Sequence, residues 1–331
     1  MPLSPVTTAV GATLKAYAMA SRNPNRKVKQ PISNAPVPLA STDPPEVVDP
    51  SWLVKAVGIT VAFALLLGYL SVCLLVYQGG WQFFLHPSAK IDATPSAPFD
   101  TVHFDSEATG RPRLTAWWIP AASSSASAPT LLYLHDGSGS LSANAKLLDV
   151  LHGAGVNLFA IDYRGFGQSE GPHPNEMRMQ EDAAAALDYL LNTRHIAAAR
   201  LIPYGQGLGT VMAATLANAH PELPALIVDT PDPDAFSRVT STGEARFLPM
   251  RLLVQEHFDI ARLLASTHQP KLLLTQDPML APSGAPKKNQ ELFRSTPDPK
   301  MVVTLSTGDP QSAYLGVLSR FLDEYIPTGK H

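Results

Sequence analysis

Chemistry at a carbonyl needs an oxygen or sulfur nucleophile, a base to deprotonate it and donors for the oxyanion. Three runs of this chain bear on that requirement. The first is Leu131-Leu132-Tyr133-Leu134-His135-Asp136-Gly137. The second is Phe159-Ala160-Ile161-Asp162-Tyr163-Arg164-Gly165-Phe166-Gly167-Gln168-Ser169-Glu170-Gly171. The third is Pro203-Tyr204-Gly205-Gln206-Gly207-Leu208-Gly209-Thr210. The third has the glycine spacing of a Gly-x-Ser-x-Gly turn. In such a turn small flanking residues let a strand and a helix approach, and the strained central residue points into a site. The next N–H then helps to bind an oxyanion. Gly205 and Gly209 take the flanking places and Leu208 the place after the nucleophile, but the central residue is Gly207. Glycine accepts the strained angles and has no atom that can attack a carbonyl. Ser138 and Ser140 stand just beyond the first run. They read first as loop polarity, and second as a displaced nucleophile.

These runs need elements to position them. Leu114–Ile119, Thr130–His135, Asn157–Asp162, Leu201–Tyr204, Ala225–Asp229, Lys271–Leu274 and Met301–Leu305 read as strands, most of them as unbroken apolar runs. Ala143–Gly153, Asn175–Thr193, Thr210–Ala219 and Gln311–Tyr325 have helical spacing of apolar residues. Strands alternating with helices predict an α/β fold with a mostly parallel sheet covered on both faces. Residues 231–266 break the rhythm. They are read as a lid with helical pieces such as Leu252–Phe258, at the sheet edge where ligands bind. Asp229, Asp232 and Asp234 are expected to cap loops there. His257 and Asp259, two residues apart, do not suit metal binding on one helical face.

In order and placement, the three runs resemble the α/β-hydrolase superfamily, and within it the membrane-anchored, Bem46-like branch of serine hydrolases. The resemblance covers residues 99–327 and implies an α/β-hydrolase fold with a small lid. It implies that Gly207 stands at the nucleophile position and Asp309 at the histidine position, in the loop Ser306-Thr307-Gly308-Asp309-Pro310. After His268 the only histidine is the terminal His331. Asp277 lies near the place of the acid but reads as a turn former. The family commonly has His-Gly in the first loop, and this chain has His135-Asp136. Asp136, Gly137 and Leu208 are therefore the oxyanion-hole-like positions, with a carboxylate where negative charge would develop. The expectation is a pseudo-hydrolase that binds a small or lipid-like molecule or acts structurally. The alternative is an active serine-type hydrolase of ester or lipid-like substrates with a displaced nucleophile.

Ala56–Tyr77 carries no charge and, at about 1.5 Å per residue, is long enough to cross a bilayer as a helix. The expected span is 52–78, with Trp52 and Lys55 at one end and Tyr77, Trp81, Phe83 and Phe84 at the other, as interfacial aromatics would be. It is too long and too far from Met1 for a cleaved signal peptide. Residues 1–51, rich in proline and alanine, read as a disordered tail, and 79–98 as a linker. Arg22, Arg26, Lys27, Lys29 and Lys55 precede the span and the first basic residue after it is Lys90, so the N-terminus is expected in the cytoplasm and the domain outside. Among the 331 residues the net charge is −3, which argues against nucleic acid as a partner. The single cysteine, Cys73, excludes an internal disulfide or a cysteine-rich metal site. No cofactor and no metal are expected.

Overall fold

The structure is a computed structural model and describes residues 49–105, 113–122, 128–241, 243, 247–276, 285–305 and 310–326. The expected disordered tail and the positions of Asp277 and Asp309 lie outside the described residues.

The chain divides at Gly58 into two units. The first is described from Asp49, whose carboxylate accepts the Ser51 N–H at 2.9 Å as the helix α1 (Pro50–Gly79) begins. The second unit, Ile59–His331, holds the rest of α1 and everything after it. α1 is exposed along nearly its whole length, and it is long and apolar enough to cross a membrane. It begins two residues earlier than expected.

After one 3-10 turn come β1 (His86–Pro87), β2 (Asp100–Phe104), β3 (Leu114–Ile119), β4 (Thr130–Leu134) and β5 (Ser138–Gly139). They are followed by α2 (Ala145–His152), β6 (Asn157–Asp162), α3 (Glu176–Asp188), β7 (Leu201–Gln206), α4 (Gly209–Ala219) and β8 (Leu226–Asp229). The lid region carries α5 (Ala235–Thr240), α6 (Met250–Leu253) and α7 (Ile260–Ser266). β9 (Lys271–Gln276), α8 (Ala285–Ser295), β10 (Lys300–Leu305) and α9 (Pro310–Tyr325) complete the described elements.

Eight strands form one sheet in the order β10-β9-β8-β7-β4-β6-β3-β2, in which only β3 runs against its neighbours. Every residue of β4 is buried, as is every residue of β8. Strands covered on both faces must be apolar throughout. One layer of core packs α3, α4 and the lid on the sheet, with Leu132, Leu134, Met212 and Phe258 among its residues. The other packs α2 and α9, with Tyr133, Tyr204, Leu148 and Phe321. From β4 the chain crosses to β6, and from β7 it crosses the opposite way to β8. The carboxyl ends of β4 and β7 therefore flank the crevice where connections diverge, which is where open α/β sheets bind ligands.

Three expectations need correction. Leu252–Phe258 is not helical beyond Leu253. Phe258 has φ 46°, and the Glu176 carboxylate accepts the N–H groups of His257 at 2.7 Å and Phe258 at 3.0 Å, replacing helical bonds. Asn175–Thr193 is an α-helix only from Glu176 to Asp188 and ends in a wider π turn. The stretch read as a linker contains β1. That strand is paired in parallel with β5, with the His86 N–H donating to Gly137 O at 2.7 Å and the Ser88 N–H to Gly139 O at 2.8 Å. A pairing of two residues is too short to leave a pattern in sequence.

Candidate functional site

The turn between β7 and α4 has the geometry its glycines imply. A Cβ at Gly209 would overlap the carbonyl oxygen of Leu134, so only glycine lets α4 come this close to the end of β4. Gly207 has φ +55°, the left-handed conformation that a nucleophile-bearing turn imposes on its central residue. The elbow is therefore intact as backbone.

Its missing side chain is replaced from across the crevice. A Cβ at Gly207 would overlap Oδ1 and Cγ of Asp136 and stand 2.9 Å from Asp136 Cβ. Asp136 Oδ1 in turn accepts the backbone N–H of Leu208 at 2.8 Å. Leu208 N–H is the oxyanion donor of such a turn, so a fixed carboxylate holds the donor that a substrate oxyanion would need. At this position a carboxylate repels developing negative charge. Its position adds direct occupation of the site.

Asp136 is itself held. The carbonyl of Asp136 can only accept, so His135 Nδ1, 2.6 Å away, carries a proton and donates it. The ring of His135 is buried between Tyr163 and Phe166, with centroids 4.7 and 5.0 Å away. Its Nε2 ends 3.7 Å from Asp162 Oδ1, beyond hydrogen-bond range. Burial holds the His135 pKa below the usual imidazole value, against the pull of Asp162. Burial also raises Asp162, against His135 and the N–H of Leu141. Both ring nitrogens of His135 are thus turned to Asp136 O and Asp162, and neither is placed to serve as base for a group at position 207.

Below the first loop, Gly137 is packed tightly. A Cβ there would lie 2.8 Å from Leu208 Cδ1, 2.8 Å from Phe84 O and 2.9 Å from Leu85 Cδ2. The segment that leaves α1 is thus strapped over the oxyanion-side loop. Asp136 and Gly137 thus both lie against Leu208. Ser140 is buried and its hydroxyl donates to Lys90 O at 3.2 Å. Ser138 is exposed and stands in register with His86.

The second run works as a buckle. The Arg164 backbone N–H and Nε each donate to the Asp182 carboxylate at 2.8 Å. Ser169 Oγ donates to Asp162 O at 2.6 Å and accepts the Thr115 N–H at 2.8 Å. These groups point inward and hold the loop that backs His135.

Residues 126–269 match a family model described as serine aminopeptidase, S33. An uncharacterised protein of Mycobacterium tuberculosis is 29% identical over 229 residues, which cover 66% of this chain and 78% of the relative. The α/β-hydrolase domain-containing protein WAV2 of Arabidopsis thaliana is 25% identical, over 65% of this chain and 76% of its own length. Bem46 of Schizosaccharomyces pombe is 32% identical, over 35% of this chain and 39% of its own. An esterase of Pyrococcus furiosus has the same fold, with a TM-score of 0.55 at 18% identity over 73% of this chain and 97% of the esterase. The chain belongs to the α/β-hydrolase superfamily. Among its relatives are WAV2 and Bem46, and it is similar to both.

Within an α/β-hydrolase, the strand beside the elbow strand ends near the chemistry, and here it ends on Asp229. Asp229 does not cap a loop, as expected from sequence. It is buried, and Oδ2 accepts the hydroxyls of Tyr204, at 2.6 Å, and Tyr314, while Oδ1 accepts that of Thr230 at 2.8 Å. Asp232 Oδ1 does cap the loop, accepting the Asp234 N–H at 3.3 Å, and Asp232 and Asp234 also pair with Arg238 and Lys288. The signal for the buried group was the pair Tyr204 and Asp229 on neighbouring apolar strands. Burial raises the Asp229 pKa above 3.8, opposed by the three hydroxyls. The unfolded chain then releases this proton first, so the native state loses stability as pH rises upward from about 3.8. In Asp229→Asn, thermal stability relative to wild type should therefore improve as pH rises through that window. A difference that stays constant with pH would contradict this assignment.

Proposed function

We propose that this α/β-hydrolase is a membrane-tethered pseudo-hydrolase. Its fold serves to bind a small or lipid-like molecule, or to act as a structural partner at the membrane. The observation that carries the reading is the Asp136 carboxylate, which lies over Gly207 and holds the Leu208 N–H. A site without a nucleophile, with its oxyanion donor already engaged, has no route to acyl transfer by the family's chemistry. Tethering is supported by α1, uncharged from Ala56 to Gly79 and exposed along its length. The basic residues before α1 favour a cytoplasmic N-terminus and a domain on the other side.

One observation favours a second reading, a working hydrolase. Exposed Ser138 stands in parallel register with exposed His86, an arrangement from which a serine and a base could be recruited. Turnover separates the two readings. Full-length protein in phosphatidylcholine vesicles is given p-nitrophenyl esters of short and long acyl chains. The proposal expects the rate of protein-free vesicles. A rate above it that falls in both Ser138→Ala and His86→Ala would replace the pseudo-hydrolase with the second reading.

A further inference from the structure

The lid runs beside the last turns of α1. Tyr69 Oη donates to the carbonyl of Phe247 at 3.3 Å. Eleven residues on, Gly80 stands against Val254, where a Cβ at Gly80 would lie 3.7 Å from Val254 Cγ2. Two separate contacts thus align Phe247–Val254 with Tyr69–Gly80. If Tyr77, Trp81 and Phe83 mark the membrane interface, Tyr69 lies about 12 Å to the apolar side of Tyr77, at about 1.5 Å per residue. Phe247 is then at the depth of acyl chains.

The side chains suit that depth. Within the lid, Met250 and Val254, four residues apart, are buried against the domain. Leu252 lies between them on the opposite side of α6 and is 80% exposed, and Phe247 is 68% exposed. Among the described residues outside α1 these are the two most exposed large apolar side chains. Each is stabilised on leaving water, and α1 supplies the apolar phase beside them. Arg251, next to Leu252, is exposed and long enough to reach back toward headgroups.

We propose that Phe247 and Leu252 insert into the hydrocarbon of the bilayer that α1 crosses, making the lid a second membrane contact whose partner is lipid acyl chain. This rests on the reading of α1 as a membrane span. The lid and the β1 strap both lie at the carboxyl edge of the sheet, so that edge, with its Asp136-filled crevice, faces the lipid.

The test uses the full chain carrying Cys73→Ala and one new cysteine at a time: Leu65→Cys, Phe247→Cys, Leu252→Cys or Val302→Cys. Each is labelled with an environment-sensitive nitrobenzoxadiazole dye in phosphatidylcholine vesicles, with or without a nitroxide on the lipid acyl chain. The four sites are exposed, so the labelled chains should keep the wild-type Tm. The expected result is severalfold stronger quenching at 65, 247 and 252 than at 302. Quenching at 65 with none at 247 and 252 would overturn the lid proposal and leave the span standing. A blue shift at 247 and 252 without lipid quenching would mean a protein cover, and would overturn it as well. No quenching at 65 would remove the span, and the lid proposal with it.

Discussion

Gly207→Ser alone yields no esterase, and the protein it yields is less stable. A side chain at φ +55° costs about 1–2 kcal/mol, because left-handed backbone brings Cβ against the following carbonyl. The new Cβ also needs the space of the Asp136 carboxyl. Asp136 must move, and with it goes the bond to the Leu208 N–H, which as a charge-assisted bond is worth about 1.5–3 kcal/mol. At roughly 2–4 °C per kcal/mol for a domain of this size, the loss is measurable as several degrees in Tm. A serine at position 207 with Asp309→His restores the two triad positions that resemblance marks as changed. It leaves the carboxylate in the oxyanion site. Restoration therefore requires a third change, Asp136→Gly, which clears the carboxylate and frees Leu208. The expected order is no ester turnover in the single and double variants and turnover in the triple variant. Turnover in Gly207→Ser alone would show that a base is already in place and that Asp136 yields readily.

The second large effect is at the buckle. Asp182 is fully buried on α3 and meets Arg164 through the backbone N–H, Nε and a terminal guanidinium nitrogen, the last at 2.7 Å. Burial raises the Asp182 carboxyl, and the Arg164 bonds pull it back down. Arg164→Ala leaves the buried Asp182 carboxylate without its cation, while Asp182→Ala leaves Arg164 only the half-exposed Glu181 at 3.1 Å, and such truncations cost about 3–5 kcal/mol. Asp182→Ala also strands the Arg164 N–H, so it should be at least as severe as Arg164→Ala. Either change should lower Tm by roughly 10 °C. Arg164→Lys should rescue little, since a flexible ammonium does not hold the fixed geometry in which Nε and a terminal nitrogen both meet Asp182 Oδ1. The double variant Arg164→Ala/Asp182→Ala should be milder than the sum of the singles, as coupled partners are. Independent, additive effects would show that the pair is not a unit.

The central strands were readable because parallel strands covered on both faces leave no room for polar residues. Leu131–Leu134 and Leu158–Ile161 show this directly, and the elbow glycines follow from the close approach of α4 to β4. Edge strand β2 was not readable. Its sequence Asp100-Thr101-Val102-His103-Phe104 buries only Val102 and Phe104, too few alternations to separate it from a loop. In the lid, Leu252–Phe258 has helical spacing, yet tertiary bonds from Glu176 override it. The occupation of the site by Asp136 depends on two loops 72 residues apart. The sequence did contain its trace, a side chain gained at the usually glycine position 136 and one lost at 207. Only the crevice between β4 and β7 shows that the two changes share one volume.

We propose that the elbow activates no nucleophile, because Gly207 has no side chain and Asp136 holds the Leu208 N–H. The most direct measurement is exposure of the folded, vesicle-bound full chain to a fluorophosphonate probe, with peptide mapping of any adduct and the triple variant as positive control. Labelling is expected on the triple variant at position 207 and not on the wild type. A stoichiometric adduct on Ser138 or Ser140 of the wild-type protein, abolished by heat denaturation before labelling, would contradict it.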